Sequence, residues 1–296
     1  MTGKVCLFVP HPKFSKKLTN EFVSTEPQLK DLWNDILNAF DKFHYMSTII
    51  LFRREAKIET VAHSMLSLYE IVDGQQRICS IVLLMSALYD ELVKEKQFKK
   101  AVSDSVFERF LFYTPKQSKQ PCCKLELFGG LNDVLVSVLE NKPLEENSIN
   151  HVASRILAAK QFFTTQLNIK KQEHENNGGY IAFLKKFLNT MQNSLYLTII
   201  NAKQHIDVYK YFELTNSRGK SISIAETIKN YLHFLNFMKQ LQYESMINDT
   251  WSLMYSMLHK FDMGSSAKET KLITTAIGLA NCSFERKYVF QCINHI

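Results

Sequence analysis

The chain has 296 residues, with 36 Lys and Arg against 29 Asp and Glu, for a formal charge of +7. Hydrophobic residues make up 46% and charged residues 22%, proportions that exclude a disordered chain, a collagen-like fibre and a coiled-coil rod. The length supports one large domain or two smaller ones, and the mild basic excess permits an anionic partner without identifying it.

The longest apolar stretch, 78–89, contains Cys79 and Ser86 and is shorter than the ~18 residues of a membrane span. The apolar run 5–9 ends at Pro10, too short for a signal-peptide core. The six cysteines, Cys6, Cys79, Cys122, Cys123, Cys282 and Cys292, form no CxxC pair. Reduced, mostly buried thiols are expected, and a cytoplasmic, non-membrane protein with them.

Only 9 Gly and 6 Pro punctuate the chain, which favours long helices. Leu29, Leu32, Trp33, Ile36, Leu37 and Phe40 recur at helical spacing over 28–43, with Thr25 and Gln28 as a capping signal. Segments 45–52 and 66–72 read as strands, and 75–94 as a strong helix with Ile78, Ile81, Val82, Met85, Leu88 and Leu92 on one face. A helix over 98–112, a basic loop over 115–121 and a short strand over 124–128 follow. Helices are predicted over 131–140, 149–167 and 180–191, a polar loop over 170–179 and a strand over 195–200. From 206 onward nearly everything reads as helix. The fold class is α+β, a small sheet embedded in many helices.

Two segments could carry chemistry. Asp73-Gly74-Gln75-Gln76-Arg77 joins a predicted strand to a predicted helix. Asp73 as N-cap, with Gln76 completing a capping box, explains two of these residues. It does not explain Arg77, a cation at the positive end of the helix dipole. An anion at the helix start removes that conflict, with exposed amides, Gly74 permitting close approach and Arg77 as a fork for phosphate. The second segment is Tyr211–Gly219, after which Ser223 and Glu226 open another helix. Arg218 there either complements a helix C-terminus or, with Asn216, faces a ligand.

No Walker loop, HExxH, GxSxG or zinc-spaced Cys/His cluster occurs, and no metal ligands are assigned. Nine scattered histidines read as surface or core residues. The loop lysines Lys116, Lys119 and Lys124 are the best candidates for DNA-backbone contacts.

Tyr69–Leu88, YEIVDGQQRICSIVLLMSAL, and the later YFELTNSRGKSISIAETIKNYL, Tyr211–Leu232, together resemble one family. It is the N-terminal, S-subunit-like domain of GmrSD-type restriction enzymes, within the wider ParB/sulfiredoxin-like superfamily. The resemblance covers most of residues 24–240. The second block matches at Phe212, Glu213, Leu214, Asn216, Arg218, Gly219, Ile228, Lys229 and Asn230. Departures are Glu226 in place of the family's Asp, an intervening Thr215, the lack of a Tyr-Gln-Arg segment around 8–14, and Tyr45-Met46-Ser47-Thr48-Ile49 where the family has a F-x-G-S-I strand.

The resemblance implies a ParB/sulfiredoxin-like mixed sheet surrounded by helices. A DGQQR-motif domain is expected over 1–235, with a helical insertion over about 95–192, followed by a mostly helical part over 236–296. It also implies NTP binding, with hydrolysis and with Mg²⁺ as the companion ion, in a regulatory subunit of a modification-dependent restriction and phage-defence system. GTP, ATP and UTP are not distinguished. Asp73, Gln76 and Arg77 would act catalytically, and Gly74, Gln75, Asn216, Arg218 and Lys229 would bind the nucleotide. The expected partners are an HNH-type nuclease on another chain and DNA, including modified phage DNA; homo-oligomerisation stays open. Two alternatives stand beside this reading: a ParB-like DNA-binding or DNA-nicking module, and a catalytically decayed scaffold subunit.

Overall fold

The structure is a computed structural model. It describes residues 5–8, 24–61, 63, 65–127, 131–144, 151–174 and 178–202, with scattered positions between 228 and 271. The chain divides into two compact units, Met1–Pro10 with Asn20–Gln204, and His11–Thr19 with His205–Ile296. Helical residues of the second unit include Ile228, Lys229, Ile247 and Trp251.

The first unit is α+β. Its main sheet has the strand order β6-β1-β3-β2-β7, built from β1 (Val5–Phe8), β2 (His44–Glu59), β3 (Met65–Asp73), β6 (Leu125–Glu126) and β7 (Leu195–Ala202). β2 and β3 are antiparallel, while β1–β3, β1–β6 and β2–β7 are parallel pairs. A second sheet pairs β4 (Phe112–Tyr113) with β5 (Cys122–Cys123).

Six α-helices accompany the sheets among the described residues of this unit: α1 (Glu26–Asn38), α2 (Gln75–Lys94), α3 (Lys100–Val106), α4 (Leu131–Leu139), α5 (His151–Glu173) and α6 (Tyr180–Asn193). Helix α1 starts as its sequence predicts, with the Thr25 backbone N–H donating to the Gln28 side chain at 2.8 Å. Its stripe Leu29, Leu32, Trp33 and Ile36 is buried, and Trp33 packs against Phe187 of α6 with ring centroids 5.1 Å apart. Helix α2 is the centre of the core. Leu83, Leu84, Met85, Ala87 and Leu88 are all buried, so α2 is apolar nearly all round, as a helix enclosed by neighbours must be. α2 packs chiefly on α5.

Two charged groups inside this core, Lys160 and Glu91, are satisfied locally. The buried ammonium of Lys160 pairs with Asp90 at 2.9 Å and donates to the Val138 carbonyl and Asn141 Oδ1, each at 2.8 Å. Buried Glu91 accepts from Lys94 at 2.8 Å and from the Tyr180 hydroxyl at 3.3 Å. Cys79 is a buried free thiol whose pKa burial pushes up to about 12, with a smaller contribution from Cys123. No helix among the described residues is long and apolar enough to cross a membrane.

Four elements differ from the sequence expectation, the first being α5, which runs to Glu173 into the loop expected over 170–179. β2 runs on to Glu59, well past the apolar run that ends at Phe52. Its polar half is held by β3, with Lys57 opposite Ser67 and Ile58 opposite Leu66. The expected helix over 98–112 is α3 followed by a π-turn, Phe107–Leu111, and then strand. The wider turn lets the Phe107 ring stack on Phe112 at 4.6 Å, and the Lys124 ammonium takes the Arg109 carbonyl at 3.0 Å. The expected strand over 124–128 is only the two-residue β6, with the separate β5 just before it.

Candidate functional site

β3 delivers the chain to the start of α2. Asp73 is the last residue of β3, paired with Ile50 of β2. Gly74 follows with φ 93° and ψ 13° and is the N-cap of α2, with no side chain capping the helix. The sequence expectation of Asp73 as N-cap with Gln76 closing a capping box is therefore corrected. The strand ladder holds Asp73 extended, and the turn falls on the residue that tolerates left-handed backbone. The consequence is functional, since a glycine N-cap offers no side-chain acceptor to the first-turn amides.

Gly74 is also required for space. A Cβ there would lie 2.6 Å from Cγ2 of Ile49, a buried β2 residue in the main core. β2 and the beginning of α2 thus touch backbone to side chain. This contact sets where Gln75, Gln76 and Arg77, the first three residues of α2, stand relative to the sheet.

Gln75 Nε2 donates to the Ile71 carbonyl at 3.0 Å, tying the first turn back to β3. Gln76 is also engaged. Arg77 is half-buried, and its Nη1 donates to the Thr48 carbonyl of β2 at 3.2 Å. A guanidinium carries five N–H donors. No other protein acceptor for them occurs among the described residues. Arg77 is thus aimed by one bond and keeps a fork of donors beside the uncapped amides of α2.

Thr48 links this arrangement to a second group. Its hydroxyl lies 2.9 Å from the Tyr45 hydroxyl. Thr198 of β7 pairs in register with Thr48 and also hydrogen-bonds the Tyr45 phenol. Those two threonine bonds, Thr198 first, together with the Arg77 charge, hold the phenol below its ordinary pKa against the opposing effect of burial. Sequence reading did not select Tyr45, Thr48 or Thr198. Only the parallel β2–β7 register brings them together, and no spacing rule carries that information.

Between Tyr45 and Thr48 the β2–β7 register shifts, and Ser47 has φ 148°. This is glycine territory, and Ser47 occupies the Gly position of the F-x-G-S-I strand. Ser47→Gly should therefore raise stability, by about 1 kcal/mol after the entropic cost of glycine. A rise in the urea midpoint checks this, and an unchanged or lower midpoint contradicts it.

Three further sequence candidates, Asn216, Arg218 and Lys229, follow later in the chain. Lys229 belongs to the second unit and is 2% exposed, with its own interactions. Asn216 and Arg218 lie outside the described residues. No group of three or more His, Cys, Asp or Glu suited to a metal occurs among the described residues. The lysine loop is largely committed: Lys124 is buried on the Arg109 carbonyl and Lys116 pairs with Glu59 at 2.8 Å.

The family model described as GmrSD restriction endonuclease, N-terminal domain, matches residues 21–233. The chain belongs to this family. The match contains the whole start of α2 and the β2–β7 pair, so the Arg77 cluster lies inside the GmrSD N-terminal domain. No curated protein matches the chain. Membership places this GmrSD-type chain among the components of restriction systems.

Proposed function

We propose that this GmrSD-type chain is an NTP-binding and NTP-hydrolysing regulatory component of a modification-dependent restriction system, acting with an HNH-type nuclease on DNA. One observation carries the reading. The α2 N-terminus has no side-chain cap, and Arg77 stands in its first turn with one N–H engaged by the described residues, on the Thr48 carbonyl. Amides, the positive end of the helix dipole and a guanidinium together suit a phosphate chain.

The nucleotide supplies the phosphoanhydride bond. Arg77 would hold the phosphates and stabilise the charge that develops as that bond breaks. Asp73, the carboxylate of the motif, would receive a phosphate-bound Mg²⁺ or the attacking water; Mg²⁺ commonly needs only one or two protein carboxylates beside phosphate oxygens. Gln75 has its amide nitrogen committed to β3 and acts first as a brace for the turn. Asn216, Arg218 and Lys229 remain candidates from the second motif. The alternative of direct DNA binding through the lysine loop is weakened by the engagement of Lys116 and Lys124.

Equilibrium titration with GTP, ATP and UTP in the presence of Mg²⁺ tests the assignment. Loss of two charge-assisted hydrogen bonds, each worth about 1.5–3 kcal/mol, predicts at least about a hundredfold weaker binding by Arg77→Ala. Equal affinity in wild type and variant would sink the site.

A further inference from the structure

We infer that Tyr45 is a second phosphate-contacting residue of the Arg77 site, donating its phenolic hydrogen to an oxygen of the bound phosphate chain. The inference rests on the nucleotide reading above and adds a residue that the DGQQR motif does not contain.

Three observations support it. First, Tyr45 is 59% exposed, although its hydroxyl is anchored; a phenol serving only the protein interior would be covered. Second, Thr48 is shared. Its carbonyl accepts from Arg77 at 3.2 Å and its hydroxyl meets the Tyr45 hydroxyl at 2.9 Å, so guanidinium and phenol are both fixed by one residue of β2. Third, Thr198 approaches the same phenol from β7. Either hydroxyl of the Thr48–Tyr45 contact can donate; when both threonine hydroxyls donate into the phenol oxygen, its own hydrogen is left for an acceptor outside the cluster. A positive neighbour, Arg77, makes that acceptor an anion.

The depressed phenol pKa agrees with this arrangement, because a more acidic phenol is a stronger donor. Ligand chemistry follows from the donor set. A planar cation and a hydroxyl donor, both held by Thr48, match two oxygens of a polyphosphate.

The test compares wild type, Tyr45→Phe and Arg77→Ala, each titrated with inorganic tripolyphosphate and with GTP, ATP and UTP plus Mg²⁺. Phenylalanine keeps the ring and removes only the hydroxyl. The expected result is about tenfold weaker binding of both tripolyphosphate and the preferred NTP by Tyr45→Phe, by the same factor, with the melting temperature unchanged. Wild-type affinity in Tyr45→Phe, with binding lost in Arg77→Ala, overturns the inference while leaving the nucleotide site intact. A loss confined to the NTP, with tripolyphosphate unaffected, also overturns it, since the hydroxyl would then face the nucleoside. No binding by wild type, or full binding by Arg77→Ala, overturns the underlying site and the inference with it.

Discussion

Gly74→Ala lowers folding stability by about 2–5 kcal/mol and abolishes nucleotide binding with it. Two costs add. An L-residue held in left-handed backbone loses roughly 1–2 kcal/mol. A methyl placed 2.6 Å from Ile49 Cγ2 must displace a buried side chain, and overpacking of that kind costs about 1–3 kcal/mol. Ile49 cannot swing aside, because it is β-branched and packed in the main core. The strain is relieved most easily if the beginning of α2 moves away from β2. That movement also stretches the bond from Arg77 to the Thr48 carbonyl. Chemical denaturation measures the first effect and titration the second. Adding Ile49→Ala removes the steric part alone, so the two changes should be non-additive. A Gly74→Ala protein as stable as wild type would contradict the structure of this turn.

Asp90→Ala is the other large effect, about 3–5 kcal/mol of lost stability at neutral pH. The Lys160 side chain is only 7% exposed, so removing its carboxylate leaves a buried ammonium with two neutral acceptors. Burial already lowers the Lys160 pKa, opposed chiefly by Asp90. Without Asp90 the pKa falls further. The sign of the pH dependence follows from linkage. Between the lowered folded pKa and the unfolded lysine value of about 10.4, the unfolded chain binds more protons. The stability deficit of Asp90→Ala therefore shrinks as pH rises through that window. Replacing the pair together, as Asp90→Leu with Lys160→Met, removes the buried charge and should cost far less than Asp90→Ala alone. Denaturation of the three proteins at neutral and alkaline pH separates these outcomes, and a deficit that grows with pH contradicts the account.

Legibility from sequence followed the physics of each element. Helix α2 could be read from its apolar spacing, and α1 from its stripe and from Thr25 and Gln28 at its start. β7 could be read from its β-branched content. The second half of β2 could not, since Arg53–Glu59 has a surface-like composition and is strand only because β3 pairs with it. The π-turn over 107–111 depends on aromatic stacking and on the Lys124 ammonium, both tertiary contacts. At the site, the anomaly of Arg77 beside a helix N-terminus was legible from charge alone. The helix bounds were legible, but its N-cap was misplaced by one residue, because Asp73 and Gln76 spell a capping box while the ladder and Gly74 decide the turn. The Tyr45, Thr48 and Thr198 cluster was invisible for a different reason. It exists through the pairing of two strands far apart in the chain.

The excess of seven positive charges names no partner by itself. Placement is more informative: most of the lysines described above are engaged by carboxylates or carbonyls, whereas Arg77 stands at a helix start with one bond, to the Thr48 carbonyl, among the described residues. The most direct test of that claim is a crystal structure of the protein with a non-hydrolysable NTP analogue and Mg²⁺. Phosphate oxygens within hydrogen-bond distance of the Arg77 guanidinium and of the first-turn amides of α2 are the expected result. An analogue bound elsewhere, with Arg77 still holding only the Thr48 carbonyl, would contradict it.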